Sequence, residues 1–186
     1  MNDAPSPRSL AIAATIFYSL MSVLGLWTMA TQDIDVFVAV FGDGTDVLRD
    51  TLLGAGSGLV VVGITWCCRN MRAVTDLNRE FGEVIGEPST MLIALLALTS
   101  SIGEEVLFRG GLQPLIGFWW TVTIFGLLHG GAARKYRVWA IFATAAGVLL
   151  GWLADFTGNL LAPILCHLTV NYFNLHLVAR SHSGSS

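Results

Sequence analysis

Charge is scarce in this 186-residue sequence, in which Asp, Glu, Lys and Arg make up 12% of the residues and hydrophobic residues 54%. Soluble globular domains carry about 25% charged residues. The composition therefore excludes an ordinary soluble domain, and it offers no basic surface for a nucleic acid. We predict an all-α, polytopic helical bundle in a membrane, of a length that suits one domain.

Cysteine and the common metal-binding motifs are also scarce. Cys67, Cys68 and Cys166 lie in apolar runs, and their spacing is not that of a metal site. The zinc motif H-E-x-x-H is absent, so a metal ion would need ligands from separate helices. No small-residue cleavage site follows the first apolar run, which indicates a membrane helix rather than a signal peptide.

Long apolar runs divide the chain, and a membrane span needs about 20 such residues. We predict about six transmembrane helices, at 10–30, 51–68, from 91 onward, 118–131, 138–156 and 159–179. The apolar piece 36–41 is predicted to be interfacial, and the polar segment 69–88 to be helical and outside the bilayer. The chain then has an N-terminal part with two spans (1–90), a motif-bearing core (91–180) and a flexible tail (181–186).

Basic residues collect on one side of the membrane when six spans are counted. Eight of the ten lie there, namely Arg8, Arg69, Arg72, Arg79, Arg134, Lys135, Arg137 and Arg180. The positive-inside rule places this side, and with it both termini, in the cytoplasm. We expect an integral protein of a bacterial inner or plasma membrane, surrounded by the lipid bilayer, and the sequence gives no indication of its oligomeric state.

The stretch G-E-E-V-L-F-R-G-G, residues 103–111, places two carboxylates and a guanidinium in an apolar helix. Charges at such a position are costly and mark functional sites in membrane proteins. Glu105 and Arg109 are four residues apart, in the order that favours an ion pair on one helix face. Glu104 is rotated by about 100° from Glu105, so we expect it to point elsewhere.

Two further polar pairs lie in later apolar helices. Phe125 and His129 are four residues apart in F-G-L-L-H, and His167 and Asn171 are four apart in H-L-T-V-N. Burial of so many polar groups is costly unless they satisfy one another. We therefore expect the three clusters to converge in one polar cavity.

Hydrolysis is the chemistry that such a cavity suits. A carboxylate beside an imidazole can hold and deprotonate a water molecule, the role we assign to Glu104 and His129. A second imidazole and an amide can donate to a developing oxyanion, the role we assign to His167 and Asn171.

Two other uses of these residues stay open at this point. Glu104, His129 and His167 could instead bind zinc, which would lower the pKa of a bound water; a site that requires no cofactor is favoured. Cys166 could act as the nucleophile of a transpeptidase-like sorting enzyme, with His129 as its base.

The three motifs, E-E-x-x-x-R, F-x-x-x-H and H-x-x-x-N, occur in this order on successive membrane helices. In this the chain resembles the CAAX prenyl protease and bacteriocin-processing superfamily of intramembrane endopeptidases, over residues 91–179. The resemblance implies a helical membrane fold with a cavity, a water activated by Glu104, and structural support from Glu105 and Arg109. It leaves open a metal-dependent or a metal-free mechanism.

The resemblance implies a peptide or protein substrate that enters from the membrane. Small bacterial members resemble enzymes that process peptides or C-terminal sorting tags, and the short chain favours this class over enzymes of prenylated proteins. A non-enzymatic immunity or scaffold protein of the same fold is the alternative. The rise per residue of a helix gives the depth of each side chain in the membrane and places Glu104 and His167 in the outer half. This predicts a cavity reached from the non-cytoplasmic side.

Overall fold

The computed structural model describes residues 7–130 and 136–183, and the side chains of 9–130 and 136–180. Within these ranges every regular element is a helix, which confirms the predicted all-α class. The helices are α1 (Pro7–Ala30), α2 (Val36–Phe41), α3 (Val47–Cys68), α4 (Arg72–Ile85), α5 (Thr90–Glu105), a π-helical turn (Val106–Leu112), α6 (Gln113–Ile116), α7 (Phe118–Gly130), α8 (Arg137–Thr157) and α9 (Leu161–Ser183). Arg134, Lys135 and residues 184–186 of the predicted tail lie outside the described residues.

Among the described residues, five helices are long and apolar enough to cross a membrane. They comprise Ser9–Ala30, Val47–Cys68, Thr90–Ile116, Arg137–Thr157 and Leu161–Arg180. Together with the apolar side chains exposed along them, such as Ile12, Leu20 and Ile141, they make the chain an integral membrane protein. The division of the chain at residue 90 stays a prediction.

The predicted span at 118–131 is shorter than a membrane. It forms α7, a helix of 13 residues, which is about 20 Å long at 1.5 Å per residue, whereas the hydrocarbon core is about 30 Å thick. A tight turn at Gly117, with φ of 87°, starts α7 directly after α6. Within the described residues, the predicted segment 118–131 is therefore helical, as expected, but shorter than a full span, and five of the roughly six predicted helices reach that length.

Helix directions nevertheless alternate along the chain. Gly103 contacts Tyr18 and Gly111 contacts Thr28, so α1 runs parallel to the long helix that begins at Thr90. Asn171 donates to Ser100 and His167 contacts Glu105, so α9 runs antiparallel to α5. One end of the bundle therefore carries α2 and the α8–α9 turn, and the other carries α4.

Glycines allow α3 to pack tightly on α9. A Cβ atom on Gly54 would lie against the Ala162 carbonyl oxygen and 2.9 Å from its Cα, and one on Gly58 would lie 2.9 Å from the Cys166 carbonyl oxygen. Small residues spaced by four permit this close approach in membrane bundles. The contact fixes α9, which carries His167 and Asn171, against the rest of the bundle.

A buried carboxylate ties the α8–α9 turn to α3. Asp50 is 1% exposed, and its Oδ2 accepts a hydrogen bond of 2.6 Å from Asn159 Nδ2. Asn159 Oδ1 in turn accepts from the Leu161 backbone nitrogen at the start of α9. Arg49 Nε donates to the other carboxylate oxygen at 2.9 Å, so Asp50 is satisfied although it is buried.

Helix α4 is amphipathic and lies across the end of the bundle. Its apolar residues recur at helical spacing, at Val74, Leu77, Phe81 and Ile85, while Arg72, Asp76 and Arg79 are exposed. The segment is helical, as predicted. Its apolar face, however, is packed against the bundle, where Phe81 lies edge-on to Trp139 of α8 with ring centroids 4.4 Å apart.

Candidate active site

The predicted polar residues of three helices meet at Glu104. Its Oε2 lies 3.6 Å from His129 Nε2 and 3.8 Å from His167 Nε2. The three residues come from the end of α5, the end of α7 and the first half of α9. Glu104 is 6% exposed and His167 is 7% exposed, so the cluster lies inside the bundle, as the cost of burying isolated polar groups requires.

Glu105 points away from Glu104 and holds two partners. Its Oε1 accepts 2.9 Å from Arg109 NH1 and 2.7 Å from His167 Nδ1. The predicted Glu105–Arg109 ion pair is present, with both side chains fully buried. The bond to His167 was not predicted, because the residue that a carboxylate meets on another helix depends on how the helices are packed.

Arg109 contacts α7 and α8 as well as Glu105, although its Nε has no hydrogen-bond partner among the described residues. Its NH2 donates to the Gly147 carbonyl oxygen at 3.2 Å, and its guanidinium carbon lies 4.4 Å from the centre of the Phe125 ring. Phe125 thus contributes a cation–π contact to the ion pair, and its ring also lies edge-on to Phe108 at 5.0 Å. These contacts join α7 and α8 to the helix that carries both glutamates.

The orientation of His129 follows from a backbone contact. Its Nδ1 lies 2.8 Å from the Phe125 carbonyl oxygen, and a carbonyl oxygen only accepts, so Nδ1 carries the proton. In the neutral ring Nε2 is then an acceptor, and it faces Glu104 Oε2, a buried oxygen without a hydrogen-bond partner among the described residues. Two acceptors 3.6 Å apart need a donor between them, and one water molecule can donate to both.

Asn171 lies in the same cavity and is held by a serine. Its Nδ2 donates to Ser100 Oγ at 2.9 Å, and Ser100 itself is 5% exposed. Ser100 was missed in the sequence. Its position four residues before Glu104, on the same helix face, was the signal that could have identified it.

The helix that begins at Thr90 does not end at Gly110 and Gly111. It continues through the π-helical turn and then α6 to Ile116. Single π-helical turns inside α-helices are frequent at functional sites. The glycines serve close packing instead, since a Cβ on Gly110 would lie 2.9 Å from the sulfur of Met29.

A cavity of about 590 Å³ opens beside Glu104. Its polar lining near the carboxylate includes His129, His167, Asn171 and Ser100, and most of the remaining lining is apolar. Its walls come from α1, α3, α4, α5, α7, α8 and α9. The site therefore combines a small polar centre with a long apolar approach, as enclosed ligand sites commonly do.

The cavity extends from Glu104 toward the end of the bundle that carries α4, where Leu77 and Phe81 line it. The prediction of cytoplasmic termini and the prediction of access from the non-cytoplasmic side therefore cannot both hold. Depth along a helix gives the position of a side chain, but the empty space beside it is set by the neighbouring helices. With the orientation predicted from basic residues, the cavity lies on the cytoplasmic side.

Cys166 is 1% exposed and packs in an apolar cluster with Leu150, Leu153 and Ala162. It adjoins His167 in sequence, and no hydrogen bond links its sulfur to an imidazole among the described side chains. An activated thiol needs an aligned base, so this geometry gives no support to Cys166 as a nucleophile.

The donor set of Glu104, His129 and His167 is one that zinc accepts. In the described part of the chain, however, no group of three or more His, Cys, Asp or Glu side chains is arranged to hold a metal ion. As the side chains stand, therefore, the residues have the right chemistry for zinc but not the arrangement.

Comparison with known proteins bears on the same segment. The family described as "Type II CAAX prenyl endopeptidase Rce1-like" matches residues 86–173, which include every motif residue from Glu104 to Asn171. The match covers 88 of the 186 residues, slightly less than half of the chain. The match confirms the resemblance predicted from the three motifs.

A curated relative covers a similar share of the chain. The uncharacterized protein YpbD of Bacillus subtilis (strain 168) is 36% identical over 89 residues, which make up 48% of this chain. The aligned segment spans 47%, about half, of the length of that relative. No solved structure matches the chain.

Proposed function

We propose that this chain is an intramembrane endopeptidase that cleaves a membrane-associated peptide or protein precursor near its C-terminus or its leader. The observation that carries the proposal is the pair of facing acceptors, Glu104 Oε2 and His129 Nε2, at 3.6 Å in a buried cavity. A water that donates to both is held with a lone pair directed outward. The Rce1-like assignment of the surrounding segment supports the same activity.

In the proposed reaction, the water attacks the scissile carbonyl carbon while Glu104 accepts its proton. The proton then passes to the departing amine, which leaves Glu104 ionised for the next cycle. A single carboxylate thus serves first as general base and then as general acid. His129 orients the water, because its Nδ1 is fixed on the Phe125 carbonyl oxygen.

The developing oxyanion is stabilised by the opposite wall of the site. Asn171 Nδ2 has two protons and gives only one to Ser100, so the other can be donated to the oxyanion. His167 Nε2 can donate when the ring is protonated, and the Glu105 carboxylate at 2.7 Å stabilises that positive charge. Glu105 and Arg109 are accordingly positioning residues.

We propose that the water is activated without a metal ion. If zinc is bound instead, Glu104, His129 and His167 would hold it, and it would activate the water by lowering the water's pKa. Two measurements decide between the metal-free and the zinc-dependent mechanism. One is the activity of the purified protein in the presence of a strong zinc chelator, and the other is metal analysis of the same protein. Full activity of a metal-free sample supports the proposal, and loss of activity that zinc restores contradicts it.

The test of the activity compares cells that contain the wild-type protein with cells that contain Glu104→Gln. The substitution keeps the size and polarity of the side chain and removes the base, so cleavage should fall by about 10²-fold or more. A precursor should then accumulate, visible as a peptide that spans the cleavage point in a proteomic comparison. The matched control is Glu83→Gln on the exposed face of α4, which should leave processing unchanged.

Equal processing in wild-type and Glu104→Gln cells, at equal amounts of folded protein, would contradict the proposal. It would favour a non-enzymatic immunity or scaffold protein. His129→Ala provides a second test, since loss of the residue that orients the water should produce the same precursor.

A further inference from the structure

A second pocket lies on the outer side of α9, apart from the cavity at Glu104. It has a volume of about 380 Å³ and lies between the last turns of α3, the first turn of α5 and the second half of α9. Thr65 of α3 donates to Asn174 Oδ1 of α9 at 3.0 Å, and both residues line the pocket on one side and the cavity on the other, so they form a shared wall. The pocket is therefore a separate groove on the surface of the bundle.

One end of this groove is polar and basic. Arg180, His176 and Thr90 line it. In the part of the chain that the structure describes, none of these three side chains has a hydrogen bond or an ion pair, and no carboxylate lines the groove. The guanidinium N–H donors of Arg180, the His176 imidazole and the Thr90 hydroxyl thus face a space whose described lining includes no carboxylate.

The other end of the groove is apolar and faces outward. Val62 and Phe173 line it next to Trp66, and Phe173 and Trp66 are 45% and 50% exposed. The Arg69 guanidinium carbon lies 4.3 Å from the centre of a Trp66 ring, which adds a second cation at the rim. Tryptophan and arginine together are typical of the level of lipid headgroups.

We propose that this groove binds the phosphate group of an anionic phospholipid, with an acyl chain along Val62 and Phe173. The planar guanidinium of Arg180 matches two phosphate oxygens at once, and the Thr90 hydroxyl can donate to a third. The apolar wall suits an acyl chain but gives nothing to a free phosphate ion. This end of the bundle also carries Arg69, Arg72, Arg79 and Arg137, and it is the end that the positive-inside rule places at the anionic cytoplasmic leaflet.

The experiment is native mass spectrometry of the delipidated full chain in detergent, titrated with phosphatidylglycerol or phosphatidylcholine of identical acyl chains. The wild-type protein should retain more phosphatidylglycerol than phosphatidylcholine. Arg180→Gln should weaken this retention about fivefold to tenfold, the value of one charge-assisted contact near a membrane surface. Arg79→Gln, on the exposed face of α4, is the matched control and should retain the lipid as the wild type does.

Arg180 is exposed, so its substitution leaves the packed bundle intact, and Thr90→Val offers a second variant with a smaller expected loss. Glu104→Gln should bind the lipid normally, because the groove does not depend on the activity proposed above. Equal retention of the two lipids, or equal binding by Arg180→Gln, would overturn the proposal. Inorganic phosphate that displaces phosphatidylglycerol at equal concentration would also overturn it, since the apolar wall would then contribute nothing.

Discussion

Removal of Arg109 should destabilise the fold far more than removal of an arginine from an exposed ion pair would. Arg109 and Glu105 are both fully buried, 2.9 Å apart. Arg109→Ala leaves the Glu105 carboxylate without its cation, and breaking a buried pair in this way costs about 3–5 kcal/mol. The Gly147 carbonyl oxygen also loses its donor, and the Phe125 ring loses its cation.

A double variant separates the effect of the stranded charge from the effect of lost packing. Glu105→Gln combined with Arg109→Met removes both charges, keeps most of the volume, and leaves an amide oxygen that can accept from His167. The double variant should recover at least about half of the stability that Arg109→Ala loses, because a buried ion pair contributes little beyond an apolar pair of the same shape.

The assay is reversible unfolding of the purified protein in mixed micelles, with the fraction folded followed as denaturing detergent increases. Arg109→Ala should lower the free energy of unfolding by about 3 kcal/mol or more. A loss below about 1 kcal/mol, which is the value of an exposed ion pair, would refute the reasoning. So would a double variant as unstable as Arg109→Ala.

Two further predictions concern the packing of α9. Gly54→Ala should destabilise the protein by about 1–3 kcal/mol, because the new Cβ would meet the backbone of α9. Gly56→Ala should be neutral or stabilising, because nothing lies within 4 Å of its Cβ position. Unfolding in mixed micelles measures both variants, and equal effects would contradict the expectation. Asp50→Ala should cost about 1–3 kcal/mol because Asn159 Nδ2 loses its acceptor at 2.6 Å. Asp43→Ala, at an exposed position, is its control, and a similar loss from both would contradict the structural reason.

The sequence was informative where chemistry limits the arrangement. Polar residues that recur at a spacing of four in apolar helices must share a face and must meet a partner, and this predicted that Glu104, His129 and His167 would converge. The same reasoning predicted the Glu105–Arg109 pair, since both residues lie on one helix. The assigned roles of these residues stay predictions.

The sequence was uninformative where packing between helices decides. The bond between Glu105 and His167 and the support of Asn171 by Ser100 depend on the relative position of α5 and α9. The side on which the cavity opens depends on where α4 lies, and depth along a helix carries no information about that.

Helices α1, α3 and α4 contribute part of the cavity wall, and this part can diverge among relatives independently of the polar site. Every polar residue of the proposed chemistry lies within residues 86–173, whereas Tyr18, Leu77 and Phe81, which line the approach to it, precede that segment. Selection can therefore alter the shape of the approach without touching the residues that would cleave a bond. Exchange of residues 1–85 between relatives should transfer substrate preference and leave the rate-determining chemistry in place.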